Sequence, residues 1–360
     1  FINQHALDQS SEFGSSFKES VTHEDMYRLS KEIIESKEVT KRVRTLMYTD
    51  KIYGSIDIKG VMDPMPSLKK VEVRMRFHNV QDLPIHPDDL IAPEDHAGLE
   101  QYCKNDVEAT TKFYLDHAAT HVELRYFLAD KFKLDPAKVT SASEPRTAEY
   151  ILSTIAANKS NTTPYEIRKS LESRVVTEVL VSDCIPRWIW FQTPDMQAIH
   201  ALLQTIVLPV NPDTGYAVGK QLKEFKIPLG DREYQMGIGG LHSIDGANVY
   251  SKTDDYELID ADVTSYYPSL LLEDGLYPRG YDNQWTATYK AIYDDRLEAK
   301  RDKSRAIESY ALKIILNATF GKFGSKYSSF YDPTLLLTIT ISGQLGLLML
   351  IEACVMNDIP

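Results

Sequence analysis

A multidomain chain of mixed α+β and α/β type is what the sequence predicts, on three observations. The chain has 360 residues, enough for two or three domains of ~100–200 residues each. Its composition is 43% hydrophobic, 26% charged and 10% aromatic, which is ordinary for a globular protein and excludes a disordered tail, a collagen-like fibre and a disulfide scaffold. Apolar residues recur at helical spacing in some stretches and at period two in others, so both kinds of element are expected.

Met26, Leu29, Ile33 and Ile34 predict a helix over 24–38, and the alternation Ile52, Gly54, Ile56, Ile58 predicts a strand. Apolar or aromatic residues at 99, 102, 103, 107, 113 and 114 predict a helix over 98–117, with further helices at 119–130 and 147–157. The pairs Asp135-Pro136 and Glu144-Pro145 mark one domain edge, and Pro209, Pro212 and Pro228 among several glycines mark another. The expected domains are therefore 1–135, 136–235 and 236–360.

The chemistry-bearing pattern begins after the second edge. Glu257–Val263 alternates at period two, so a strand is expected with Ile259, Ala261 and Val263 on one face and Asp260 and Asp262 on the other. Two carboxylates on one face repel each other and rarely serve stability. Asp262 is the candidate metal ligand; Asp260 reads as either a solvated neighbour or a second ligand. Pro268 suits the first turn of a short helix and Gly275 its C-terminal stop. Strand, turn and helix in that order bring an acid to backbone N–H groups at a helix start, a natural place for a metal-bound phosphate.

Residues 286–326 read as two basic helices. Arg296, Lys300 and Lys303 share one face of the first; Lys313, Asn317 and Gly321 fall four apart on the second, with Leu312, Ile315, Leu316 and Thr319 as its packing side. Facing basic sides form a clamp for an anionic ligand. Pro333–Ile351 carries no charge, but its threonines, Ser342, Gln344 and glycines and its lack of a basic flank predict a buried core helix rather than a membrane span.

The formal net charge is −12, which argues against a sequence-independent coat for nucleic acid only as an average. Between Trp285 and Phe330 nine Lys/Arg face five Asp/Glu, so basic charge is concentrated where a groove would need it. Cys103, Cys184 and Cys354 are odd in number and widely spaced; they predict reduced thiols in a cytoplasmic protein and no Cys/His zinc site. No basic and apolar leader follows Phe1, so no secretory signal is expected. The end at Pro360, just past a long apolar stretch, predicts an internal piece of a longer protein.

These residues resemble the family B DNA polymerases, particularly those of bacteriophages. Asp262-Val263-Thr264-Ser265-Tyr266-Tyr267-Pro268-Ser269 is similar to the first palm motif, Asp-x-x-Ser-Leu-Tyr-Pro-Ser, with Tyr266 in place of Leu. Lys313–Gly321 is similar to the fingers motif, Lys-x-x-x-Asn-Ser-x-Tyr-Gly, departing at Ala318 and Phe320. Thr338–Leu345 is similar to the helix leading into the third palm motif, which itself would begin beyond Pro360. Upstream, Tyr102-Cys103-Lys104-Asn105-Asp106 resembles the third exonuclease motif, Tyr-x-x-x-Asp. Asn3–Asp8 resembles the second, with Leu7 where an aromatic residue is usual. Gly237-Ile238-Gly239-Gly240 resembles a template-contacting turn, without its usual Tyr.

The resemblance implies an RNase H-like 3′→5′ exonuclease domain, N-terminally incomplete, followed by a partial polymerase palm with helical fingers at about 285–328. It implies template-directed DNA synthesis with two magnesium ions, manganese being a possible substitute, and 3′→5′ proofreading. Metal ligands would be Asp262, the Val263 carbonyl, Asp106 and Asp8, with Tyr102 beside Asp106. Ser265, Tyr266, Tyr267, Arg296, Lys300, Lys313 and Asn317 would hold the nucleotide, Lys313 also acting in catalysis. Gly239, Gly240 and Gly321 would lie against DNA. Expected partners are primer–template DNA, deoxynucleoside triphosphates and replication accessory proteins, with no membrane, in the host cytoplasm if viral. The alternative is a non-catalytic module that binds primer–template. A reverse transcriptase or RNA polymerase palm explains neither the upstream Tyr-x-x-x-Asp nor the Tyr-Pro-Ser turn.

Overall fold

A computed structural model of the chain describes residues 28, 31, 66–87, 89, 91–172, 175–246, 249–253, 257–259 and 261–359. The chain divides into two compact units, Phe1–Asp57 and Ile58–Pro360. In the first, Arg28 and Lys31 are described and both are helical; the expected strand 52–58 and Asp8 lie outside the described residues.

The second unit opens with α1 (Leu68–Arg74), α2 (His96–Phe113), a π-helical turn (Tyr114–Ala118), α3 (Ala119–Lys131), α4 (Pro136–Thr140), α5 (Glu144–Lys159) and α6 (Pro164–Glu172). A β-containing stretch follows: β1 (Glu178–Leu180), α7 (Pro194–Leu203), β2 (Val207–Pro209), α8 (Lys220–Glu224), β3 (Lys226–Leu229), β4 (Arg232–Met236) and β5 (Leu241–Ser243). The chain then returns to helix with α9 (Tyr266–Glu273), α10 (Asn283–Arg301), α11 (Ala306–Phe323) and α12 (Pro333–Met356).

Several helix starts are written locally. Asp135, Thr193 and Asp332 each precede a proline, and their side-chain oxygens accept from Ala137, Met196 and Leu335 N–H respectively. A short polar cap followed by a pre-formed φ begins a helix at little entropic cost. The strands are short and antiparallel, β1 pairing with β2 and β3–β4–β5 forming a meander with Ile227 opposite Tyr234 and Gln235 opposite His242.

Packing runs across both expected domain edges. One core gathers Leu124 and Leu128 of α3, Ile151 and Leu152 of α5, Trp285 and Tyr289 of α10, and Leu312, Ile315 and Leu316 of α11. A second joins Val179, Leu208 and Ile227 of the strands to Met196 and Leu203 of α7. Helix α12 serves both: Leu335, Leu336 and Ile339 enter the first core, and Leu337, Ile341, Leu345 and Leu348 the second. Burial on two sides accounts for its apolar character all round. By length and composition it would also suffice to cross a membrane.

One expected element is corrected. Residues 257–259 and 261–263 are not in a strand, and both apolar and acidic positions lie open, with Leu258 62%, Ile259 81% and Val263 47% exposed. Period two describes a surface that needs a neighbouring strand to hydrogen-bond and a layer to cover one face. No strand pairs with this segment among the described residues.

Candidate functional site

A cleft of about 900 Å³ opens between the 262–268 segment and the facing sides of α10 and α11. This volume is in the range of small-molecule sites. Asp262, Val263, Ser265, Tyr266, Tyr267, Arg296, Lys300, Lys313 and Asn317 all line it, joined by Lys303, Ser309, Tyr310, Asp302 and Phe320.

The turn into α9 sets the geometry. Ser265 sits at φ 53°, ψ 48°, in the left-handed region, which a non-glycine residue adopts only when its surroundings hold it. The hold is visible: Arg296 donates to Ser265 Oγ from the opposite wall. The Arg296 Nε is buried and has no partner among the described residues. Ser265 C=O accepts from Ser269 N–H at 2.9 Å, closing the first turn of α9. The first helical N–H groups, those of Tyr266 and Tyr267, have no intrahelical acceptor by construction.

The two tyrosine rings stack at 5.9 Å and 21°, and Phe320 meets Tyr267 edge-on at 5.7 Å. Tyr266 hydroxyl donates to Gly343 C=O at 2.7 Å, and Tyr267 hydroxyl to Gly239 C=O at 2.5 Å. Burial raises both phenol pKa values, and for Tyr266 the neighbouring Tyr267 adds to the shift. The rings are therefore neutral, fixed walls. Their approach to α12 is close at Gly343: a Cβ there would lie 3.2 Å from Tyr266, Tyr267 and Leu270 side-chain atoms, so those side chains would have to give by a few tenths of an ångström.

Charge in the cleft is unbalanced. Elsewhere on α10 and α11 the lysines are paired, Lys290 with Asp294 at 2.7 Å and Lys322 with Glu149 at 2.9 Å. Lys300, Lys303 and Lys313 are exposed and, among the described residues, none has a carboxylate within ion-pair distance. Asp302 lines the same cleft, but its Oδ1 accepts from Ser304 N–H and Oγ at 2.9 and 2.7 Å, which lowers its pKa. Three lysines and Arg296 around one hollow favour an anion.

The other candidates do not line this cleft. Tyr102 and Asp106 sit together on α2, where burial first and the Asp106 charge second raise the Tyr102 pKa. Helix α2 buries the line Asn105, Ala109 and Phe113, and Asp106 beside it is half-buried. Gly239 and Gly240 belong to a turn fastened to Tyr267, and an added Cβ would meet nothing within 4 Å at Gly239. Gly321 is exposed and its carbonyl accepts from Tyr216 hydroxyl at 2.5 Å.

A pair of magnesium ions would need several hard oxygen donors converging on one place. Asp262 and the Val263 carbonyl supply hard oxygen ligands, but Asp302 is engaged, and Asp8 and Asp260 lie outside the described residues. Among the described residues no three His, Cys, Asp or Glu side chains cluster. The described residues by themselves do not complete a two-ion site.

Two cleft residues carry a signal in the sequence that the motif leaves out. Ser309 precedes Lys313 by four and Tyr310 precedes it by three, so helical periodicity alone puts them on the same side. Gln344, which is buried against the 237–240 turn, carries no such signal. Comparison of the chain with protein-family models, curated proteins and solved structures finds no match.

Proposed function

We propose that the cleft binds the incoming nucleotide of a template-directed DNA polymerase of family B type. The observation that carries this reading is the meeting of two separate motifs, 262–269 and 313–321, on opposite walls of one basic hollow. In it Lys313, Lys300 and Arg296 neutralise the triphosphate. Ser265 Oγ and the Tyr266 N–H bind its oxygens, and the Tyr267 ring lies beneath the sugar. Asn317, one turn beyond Lys313, lines the same wall. Such groups act by orienting the nucleotide and meeting charge that grows during phosphoryl transfer. Tyr102 and Asp106 are proposed for an associated 3′→5′ exonuclease, on the motif and their adjacency.

The test is template dependence of nucleotide binding. A primer–template presenting dT should raise the chain's affinity for dATP above that for the other three deoxynucleotides, measured by titration calorimetry. A non-catalytic primer–template module, the second reading, would bind the DNA with no base-selective uptake. Equal affinity for all four with every templating base overturns the polymerase reading.

A further inference from the structure

We infer that Gln344 is a positioning residue that sets the height of the Tyr267 ring, and through it the discrimination between deoxyribose and ribose. The inference rests on the nucleotide-binding reading of the cleft. Gln344 is 1% exposed, and its amide grips a single residue at both backbone groups. Oε1 accepts from Gly237 N–H at 3.0 Å, and Nε2 donates to Gly237 C=O at 2.9 Å. The remaining amide hydrogen reaches Thr340 C=O at 2.9 Å. A buried amide so engaged fixes position, because each lost bond strands a buried partner.

The grip is passed on to the cleft. Gly237 N–H also donates to Gly240 C=O at 3.0 Å, closing the turn. That turn presents Gly239 C=O to the Tyr267 hydroxyl at 2.5 Å. Tyr266, the stacked neighbour, is tied to Gly343 C=O, the residue before Gln344. Turn, α9 and α12 thus form a closed ring of hydrogen bonds with the Tyr267 phenol at its edge. Without Gln344 the turn is free to shift, the Gly239 carbonyl moves with it, and the ring loses the stop that keeps it close under C2′.

The experiment uses this chain with primer–template DNA and measures dissociation constants for dATP and ATP opposite dT. Unaltered protein, Gln344→Ala, Tyr267→Phe and the double variant are compared, with Leu348→Ala as a buried control on the same helix. The ratio of ATP to dATP dissociation constants should fall roughly three- to tenfold in each single variant, and no further in the double variant. Amide exchange at Gly237 should quicken in both single variants. Leu348→Ala should lower Tm and leave the ratio unchanged. A Gln344→Ala protein that binds dATP with an unaltered ratio, or additive effects in the double variant, overturns the inference. Failure of the unaltered chain to bind either nucleotide overturns instead the reading on which it rests.

Discussion

At the scale of single residues, the cleft separates groups held in place from groups left free. Tyr267 is held by its hydroxyl, by Tyr266 and by Phe320, so its ring offers a rigid surface. Tyr267→Val should therefore lower the preference for dATP over ATP at least tenfold in the same titration, because a hydroxyl at C2′ no longer meets the ring; a constant ratio would remove Tyr267 from that role. Lys313 is exposed and unpaired among the described residues, so it is available to a ligand. Lys313→Ala should weaken triphosphate binding roughly tenfold, the loss of one charge-assisted contact, while changing primer–template affinity little. An equal loss of both would make Lys313 a DNA-backbone contact. The thiols differ as sharply. Burial pushes the Cys184 pKa up to about 12, whereas Cys103 is exposed. A maleimide at pH 7 should label Cys103 quickly and leave Cys184 unlabelled until the protein unfolds.

At the scale of elements, the basic helices keep their positions through a small ionic bridge away from the cleft. Lys131 of α3 reaches Asp295 of α10 at 3.0 Å and Glu308 of α11 at 2.8 Å. Arg305, at the turn between those helices, meets Glu308 at 2.7 Å. Arg305 first and Lys131 second pull the Glu308 pKa from its ordinary 4.5 down to about 2. A carboxyl whose pKa is lowered on folding stabilises fully above its unfolded value, and that contribution is lost as pH falls through the folded value. Stability should thus decline between about pH 4.5 and 2 in part through this group. Glu308→Gln should flatten that portion of the Tm-against-pH curve; an unchanged slope would mean the bridge adds nothing. The segment 257–263 is the opposite case. Its alternation is strand-like, but pairing is a property of two segments, and it has no partner strand among the described residues.

At the scale of the molecule, one core links residues from Leu124 to Ile339, so the cleft depends on helices far from it in sequence. Leu152→Ala, at a position with no exposed surface, should cost about 2–5 kcal/mol. Nucleotide binding and helical circular dichroism should then be lost together on denaturation, as in one cooperative transition; binding lost well before helix would show the cleft to be independent of α5. The charge distribution makes a second whole-molecule expectation. A net charge of −12 with a locally basic cleft should make DNA binding weak and steeply salt-dependent, log K falling linearly with log salt.

Much of this was legible in one dimension. Helical spacing put Arg296 with Lys300 and Lys313 with Asn317 on common faces, because these are effects of neighbours within one turn, whereas Asp135-Pro136, read as a domain edge, proves to be the capped start of α4. The buried positions Leu312, Ile315, Leu316 and Thr319 followed from the same period. The information carried along the chain is local: which stretches have helical period and which side chains share a face. That α3 and α5 pack on α10 and α11, that α12 is buried in two cores, and that Gln344 grips Gly237 across 107 residues of chain emerges only when the chain is folded. Those contacts join segments whose spacing has no period, so their energy depends on three-dimensional closeness that no local pattern encodes.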